Sequence, residues 1–153
     1  MIRPYSQEDR DSVLDIFRQL IPEYFDPSEE EDLKEYLKNE ASTCFVLQVD
    51  GQIVSLGGYK VVEEKVQLTW YFTHPDYKGK GYGSQLVEYC KAKALASSQS
   101  KKWLVRTSQL SEGFFARFGF ETKIIEPNYW GKGLDLYIMT GNLQEDEKLE
   151  SIS

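Results

Sequence analysis

The sequence predicts an α+β domain with a mixed, mostly antiparallel central sheet of about six to seven strands flanked by helices. Three observations point to it. The run from Val66 to Thr73 alternates Val66, Leu68, Trp70 and Phe72 against Gln67, Thr69 and Tyr71, which is strand periodicity. It leads through a glycine-rich turn into a helical pattern that carries Leu86, Val87, Cys90, Ala94 and Leu95 on one side. Two further strand-like runs, Thr43 to Val49 and Gln52 to Val62, meet at Asp50-Gly51, a strong hairpin signal.

The remaining elements follow in chain order. Ser6 with Glu8 and Asp9 starts a helix whose apolar face is Val13, Leu14, Phe17 and Leu20 and which ends near Pro22. Ser28, three residues before Glu31, reads as a capping box. The short helix behind it turns Leu33, Tyr36 and Leu37 inward and ends near Asn39. Gly57-Gly58 inside a strand marks a bulge or a close backbone approach. Glu63 and Glu64 make the turn into the central strand. After the central helix and a polar linker, SSQSKK, Trp103 to Thr107 reads as a buried strand. Ser111 to Phe118 reads as a short helix stopped by Gly119. Phe120 to Glu126 and Leu134 to Met139 are the last strands, separated by the loop PNYWGKG. Residues 1–142 make one domain and 143–153 a polar C-terminal tail, which frays from Gln144.

Composition narrows the function classes. At 153 residues, with 41% hydrophobic and 14% aromatic content, the chain can bury a core. A net charge of -7 argues against a nucleic-acid binder, which needs a basic face. No apolar run reaches the length of a membrane span, and MIRPYSQEDR lacks the apolar stretch of a signal peptide. Cys44 and Cys90 occupy apolar pattern positions and read as buried free thiols of a cytoplasmic protein. No Cys or His spacing suggests a metal site.

The chemistry-bearing stretch is the turn HPDYKGKGYGS. A glycine-rich turn ahead of a helix exposes free backbone N–H groups, and the helix dipole favours negative charge there. Lys78 and Lys80 add positive charge, so the turn suits a phosphate-bearing ligand. It is not a Walker loop, because GxxxxGK[ST] is absent. Nor is it the dinucleotide fingerprint, since Gly79-Lys80-Gly81-Tyr82-Gly83-Ser84 ends in Ser.

The spacing Lys78-x-x-Gly81-x-Gly83 resembles the acetyl-CoA signature of the GNAT N-acetyltransferases. EGFFARFGFE resembles that family's late helix and following strand, and IRPYSQEDRDSVLDIF resembles its opening. The resemblance implies a sheet splayed at the acetyl-CoA site, between the central strand and Trp103 to Thr107. It implies that the pyrophosphate rests on backbone N–H groups of Gly79, Lys80, Gly81, Tyr82, Gly83 and Ser84, with Lys78 in the usual Gln/Arg position. The pantetheine arm would bond the backbone at about Tyr71, Phe72 and Thr73. Members of the family are often dimers, although no interface is marked in this sequence.

Three matched positions depart from the family pattern. Phe115 stands where a tyrosine often protonates the leaving thiolate, Ser108 where an asparagine commonly bonds pantetheine, and Gln67 where some members place a glutamate base. A lysine-like amine is neutral in about one molecule in 2,500 at pH 7, whereas a thiol near pKa 8.5 leaves with little help. Deprotonating the amine is therefore the harder task, and no residue is identified as its base. Tyr71, on the same strand face as Gln67, either acts through water or, as the simpler reading, is a cleft-wall aromatic; Glu64 reads as a solvated turn residue, and His74 reads as structural. The acceptor site would be walled by Tyr24, Phe25, Gln67, Tyr129 and Trp130; the last two serve equally as packing at the sheet edge. The acidic stretch Glu23 to Glu40 either steers a cationic small molecule or basic peptide or is a solvated helix face. The function implied is acetyl transfer from acetyl-CoA to a primary amine; the rival is a coenzyme A-binding sensor or assembly module without turnover.

Overall fold

The computed structural model describes residues 1–143; of the tail expected over 143–153, all but Leu143 lies outside the described residues. Seven strands form one sheet, in chain order β1 Ile2–Pro4, β2 Cys44–Val49, β3 Gln52–Val62, β4 Lys65–Thr73, β5 Lys102–Thr107, β6 Glu121–Gly131 and β7 Leu134–Asn142. Across the sheet the order is β1-β2-β3-β4-β5-β7-β6, and every pairing is antiparallel except β4 with β5. The helices are α1 Arg10–Gln19, α2 Glu29–Asn39, α3 Tyr82–Ser97 and α4 Glu112–Ala116. The α+β expectation holds. Among the described residues, no helix is long and apolar enough to cross a membrane.

Each face of the sheet carries its own core. On one face, Leu86, Val87, Cys90 and Ala94 of α3 are fully buried against Phe45, Leu47, Val66 and Leu68, with Phe115 of α4 alongside. On the other, Val13, Leu14 and Phe17 of α1 and Leu33, Tyr36 and Leu37 of α2 pack on Val46, Leu56 and Phe72. These are the helix faces that the 3.6-residue periodicity marks. Leu143, at the end of the described chain, is buried and its N–H donates to Lys101 O at 2.9 Å.

Strict alternation fails in β4, and the failure places the site. Leu56 pairs with Phe72 but Gly58 pairs with Thr69, so Trp70 and Tyr71 together face Gly57. The extra residue belongs to β4, where Trp70 takes φ +46°, a conformation costly for a bulky side chain. The bulge flips the phase. Val66 and Leu68 face α3, whereas Trp70 and Phe72 join the core under α1 and α2. Tyr71 therefore points to the α3 face, while Thr69, two residues from Gln67, bonds Tyr36 of α2 through its hydroxyl at 2.9 Å. Tyr71 and Gln67 lie on opposite faces, not on the same one. Gly57 is a close approach: an added Cβ would lie 2.7 Å from Tyr71 Cδ1.

Other departures are local. The Ser28–Glu31 box does not form, since Ser28 is itself helical and its side chain caps nothing. Asp26 and Glu29 make the equivalent exchange: Ser28 N–H donates to Asp26 Oδ2 at 3.0 Å, and Asp26 N–H to Glu29 Oε2 at 2.9 Å. PNYWG belongs to β6, and only Lys132 and Gly133 turn the chain into β7. β6 is an edge strand, so Pro127 costs it no ladder bond that must be made. Lys102–Thr107 buries Trp103 and Val105 but exposes Arg106, so it is half-buried rather than buried throughout.

Candidate active site

β4 and β5 pair only from Val66 to Leu68, against Trp103 to Val105. From Thr69 onward β4 leaves its neighbour, while β5 stays paired with β7 through Thr107. The divergence opens a cleft of about 930 Å³ in the middle of the sheet. A parallel pair that separates leaves backbone N–H and C=O groups of β4 without a ladder partner on that side, available to an extended ligand.

At one end of the cleft stands the glycine turn. Gly79 and Gly81 have φ of +77° and +83°, and a Cβ added at either meets nothing within 4 Å, so the turn is open to a ligand. Gly81 caps α3 without a side-chain bond, and the first hydrogen bond into the helix runs from Gln85 N–H to Gly81 O at 3.0 Å. The N–H groups of Tyr82, Gly83 and Ser84 thus have no acceptor within α3 and sit at the positive end of its dipole. Gly83 faces Phe114, whose ring would lie 3.3 Å from an added Cβ, and Arg117 lies 5.4 Å from the same ring. Arg117 lines the cleft with Lys78. The sequence pattern does not single out Arg117; its place beside the turn comes from how α4 packs.

The other end is acidic and aromatic. Glu29, Asp32, Glu35 and Glu40 line it with Tyr24, Phe25, Tyr36 and Trp70. Glu30 of the same stretch is engaged elsewhere: it accepts from Arg18 at 3.0 Å and pairs with Lys34 at 3.3 Å. The two ends touch through Lys78, whose ammonium lies 3.3 Å above the Tyr24 ring.

Most of the residues singled out from the sequence meet in this one cleft. Tyr71, Phe72, Thr73, Lys78, Gly79, Gly81, Tyr82, Gly83 and Ser84 line it, as do Ser108 and Phe115, and Tyr24, Phe25, Gln67 and Trp130. Lys80 and Tyr129 do not. Lys80 is exposed near Tyr77, and Tyr129 is exposed with its hydroxyl accepting from Arg106 at 2.9 Å. Trp130 Nε1 donates to Thr107 O at 3.0 Å and so pins the end of β6 onto β5. Ser108 turns its hydroxyl to Leu110 N–H at 3.2 Å. Phe115 is buried against Tyr71, with ring centroids 6.0 Å apart at 87°.

Electrostatics separates the titratable candidates. The Tyr71 hydroxyl is buried beside the Cys90 thiol, and burial pushes it well above the ordinary phenol range, which disqualifies it as a base near neutrality. His74 accepts Asp76 N–H through Nδ1 at 3.0 Å and packs on Tyr77, a capping role outside the cleft lining. Glu29 behaves differently from the other acidic residues. It is 6% exposed yet lines the cleft, and burial pushes its carboxyl up to about 7 against the pull of its bond from Asp26 N–H, with Asp26 and Asp32 adding repulsion. Among the described residues, no group of three His, Cys, Asp or Glu side chains is placed to hold a metal ion.

Comparison with known proteins agrees with this geometry. The model of the acetyltransferase (GNAT) family matches residues 10–120. Among solved structures, Ard1 from Thermoplasma volcanium superposes with a TM-score of 0.80 at 17% identity, covering 95% of this chain and 98% of that one. The ribosomal-protein-S18-alanine N-acetyltransferase from Escherichia coli gives 0.78 at 19% identity, covering 94% and 93%. An aminoglycoside 6'-N-acetyltransferase complexed with coenzyme A gives 0.73 at 15% identity, covering 94% and 97%. At such identities these structures speak to the fold, and the match across residues 10–120 speaks to descent. The chain belongs to the acetyltransferase (GNAT) family.

Proposed function

We propose that this protein is an N-acetyltransferase that moves the acetyl group of acetyl-CoA to a primary amine by direct attack on the thioester. The observation that carries the reading is the divergence of β4 from β5 beside the glycine turn at the start of α3. An extended thioester arm fits between the strands, and an anionic pyrophosphate fits the free N–H groups from Gly79 to Ser84. Arg117 and Lys78 supply positive charge at that end. Backbone groups of Tyr71, Phe72 and Thr73 hold the arm, and N–H groups near Thr73 stabilise the developing oxyanion. Lys78 keeps the charge of the family's Gln/Arg position without its planar donor set, and reaches a phosphate by leaving Tyr24.

The acceptor enters at the acidic, aromatic end, where carboxylates favour a cationic amine, a small molecule or a basic peptide. Solved relatives of this fold include a ribosomal-protein alanine acetyltransferase and an aminoglycoside acetyltransferase, both of which act on amines. Cys44 and Cys90 are buried and free, in keeping with a reducing compartment such as the cytoplasm. A binding module without turnover is the second reading, and it draws on Phe115, whose apolar ring lies where a proton donor would be expected. Thiol release from acetyl-CoA with a panel of primary amines separates the two. Amine-dependent release supports the transferase; binding with no release for any amine supports the module.

A further inference from the structure

The turn that carries Glu29 is held over the opened half of β4. Phe25 lies 6.2 Å from Trp70 and 5.9 Å from Phe72, centroid to centroid. Asp26 abuts β6, where a Cβ added to Gly131 would sit 2.8 Å from the aspartate Cβ. Glu29 itself is fixed by the bond from Asp26 N–H to Oε2, and no hydrogen bond to Oε1 is found among the described residues. One carboxylate oxygen therefore anchors the side chain while the other is left for the cleft. Asp32, Glu35 and Glu40 line the same cleft but are exposed, so they form a solvated rim. Glu29 alone among them is nine-tenths buried.

The charges around it do not neutralise it. Asp26 and Asp32 are like charges on its own segment. Arg18 of α1 and Lys34 of α2 are held by Glu30. Lys60 of β3, Arg106 of β5, Lys78 of the glycine turn and Arg117 just after α4 line the cleft, and none makes an ion pair with Glu29 among the described residues. Burial without a cationic partner brings a carboxyl to the range in which a general base works best at neutral pH.

Resting on the transferase reading above, we propose that Glu29 is the catalytic base, and that the acceptor is a primary amine taken up as its ammonium ion. Oε1 of the ionised carboxylate receives one proton from the ammonium nitrogen. The freed lone pair forms a C–N bond at the thioester carbonyl carbon, and the C–S bond breaks with its electron pair on sulfur. The second proton on nitrogen passes to the thiolate or to solvent, and Glu29 returns its own proton to water. Ammonium and thioester thus become amide, thiol and one released proton.

Glu29→Gln tests this, because glutamine keeps an oxygen for Asp26 N–H and cannot accept the proton. The probes are 2-phenylethylamine and its β,β-difluoro analogue, matched in shape, the second much less basic and largely neutral at about pH 8. The expected result is a loss of kcat/KM of about 100-fold on 2-phenylethylamine and of less than about threefold on the fluorinated amine. Equal loss on both probes or retention on both overturns the proposal, as does a wild-type protein that acetylates neither. A second readout needs no turnover: in 13C-glutamate-labelled wild type, one carboxyl resonance titrates near pH 7 and is missing from the variant. If every carboxyl titrates in the ordinary range, Glu29 is not the base. Failure of the transferase reading is seen separately, as acetyl-CoA that leaves the wild-type melting temperature unchanged or that binds without thiol release for any amine of the panel.

Discussion

Replacing Glu29 by Gln should make the protein more stable near neutral pH while removing the proposed base. The carboxyl is pushed from an ordinary 4.5 to about 7 by burial, so the folded chain holds that proton to higher pH than the unfolded chain does. Below about 4.5 both states are protonated and the substitution is close to neutral. Between 4.5 and about 7 the unfolded state ionises first, so wild-type stability falls as pH rises. Above about 7 the full cost is present. The gap corresponds to at most about 3 kcal/mol, and water in the open cleft screens it to about 1–2 kcal/mol. For a domain of this size that is a rise in melting temperature of about 2–8 °C at about pH 8, shrinking to nothing at about pH 4. Differential scanning calorimetry of both proteins across this range reads it directly. A difference that is the same at both pH values, or a variant less stable than wild type at the higher one, would refute the reasoning.

Three other perturbations follow from the same structure. Gly57→Ala drives a Cβ into the Tyr71 ring and should cost about 1–3 kcal/mol, read by urea denaturation; an unchanged midpoint would mean that the bulge in β4 yields freely. Glu64→Gly relieves a φ of +68° in the two-residue turn between β3 and β4 and should raise stability by about 1 kcal/mol; no gain would mean that the turn is not under strain. Asp9 accepts two bonds of 2.8 Å from Arg3 and one from Ser6 N–H, which hold its carboxyl below the usual range. That stability is present above about 3.8 and lost as pH falls through the lower folded value, so Asp9→Asn should cost about 1–3 kcal/mol at neutral pH and progressively less in acid. A cost that does not change with pH would place the effect in packing instead.

What could be read from the sequence was whatever depends on neighbours along the chain. Asp50-Gly51 specifies its hairpin because both residues accept positive φ, here 52° and 79°. The apolar spacing of α1, α2 and α3 marks their buried faces, and the glycine turn is legible because few chemistries need that spacing. Features fixed by distant contacts were not legible. A period-2 pattern cannot show that Trp70 adds a residue to β4, so the faces of Trp70, Tyr71 and Phe72 came out reversed. PNYWG looks like a loop because Pro and Gly are turn formers, yet an edge strand tolerates both. β1 is three residues long, too short for a pattern to be seen. Glu29 was one carboxylate among many in an acidic run; only the packing of Phe25 on Trp70 and of Asp26 on Gly131 separates it from the solvated others.

The acetyl-CoA assignment stands or falls most directly on the melting temperature of the wild-type protein with acetyl-CoA, beside parallel samples with ATP and with NAD. At about one hundred times the dissociation constant, a ligand that binds only the folded state adds about 2.7 kcal/mol, or about 5–11 °C for a chain of this length. The cleft between β4 and β5 predicts such a rise with acetyl-CoA and none with the other two. A rise with ATP or NAD alone, or no rise with any of the three, would contradict it.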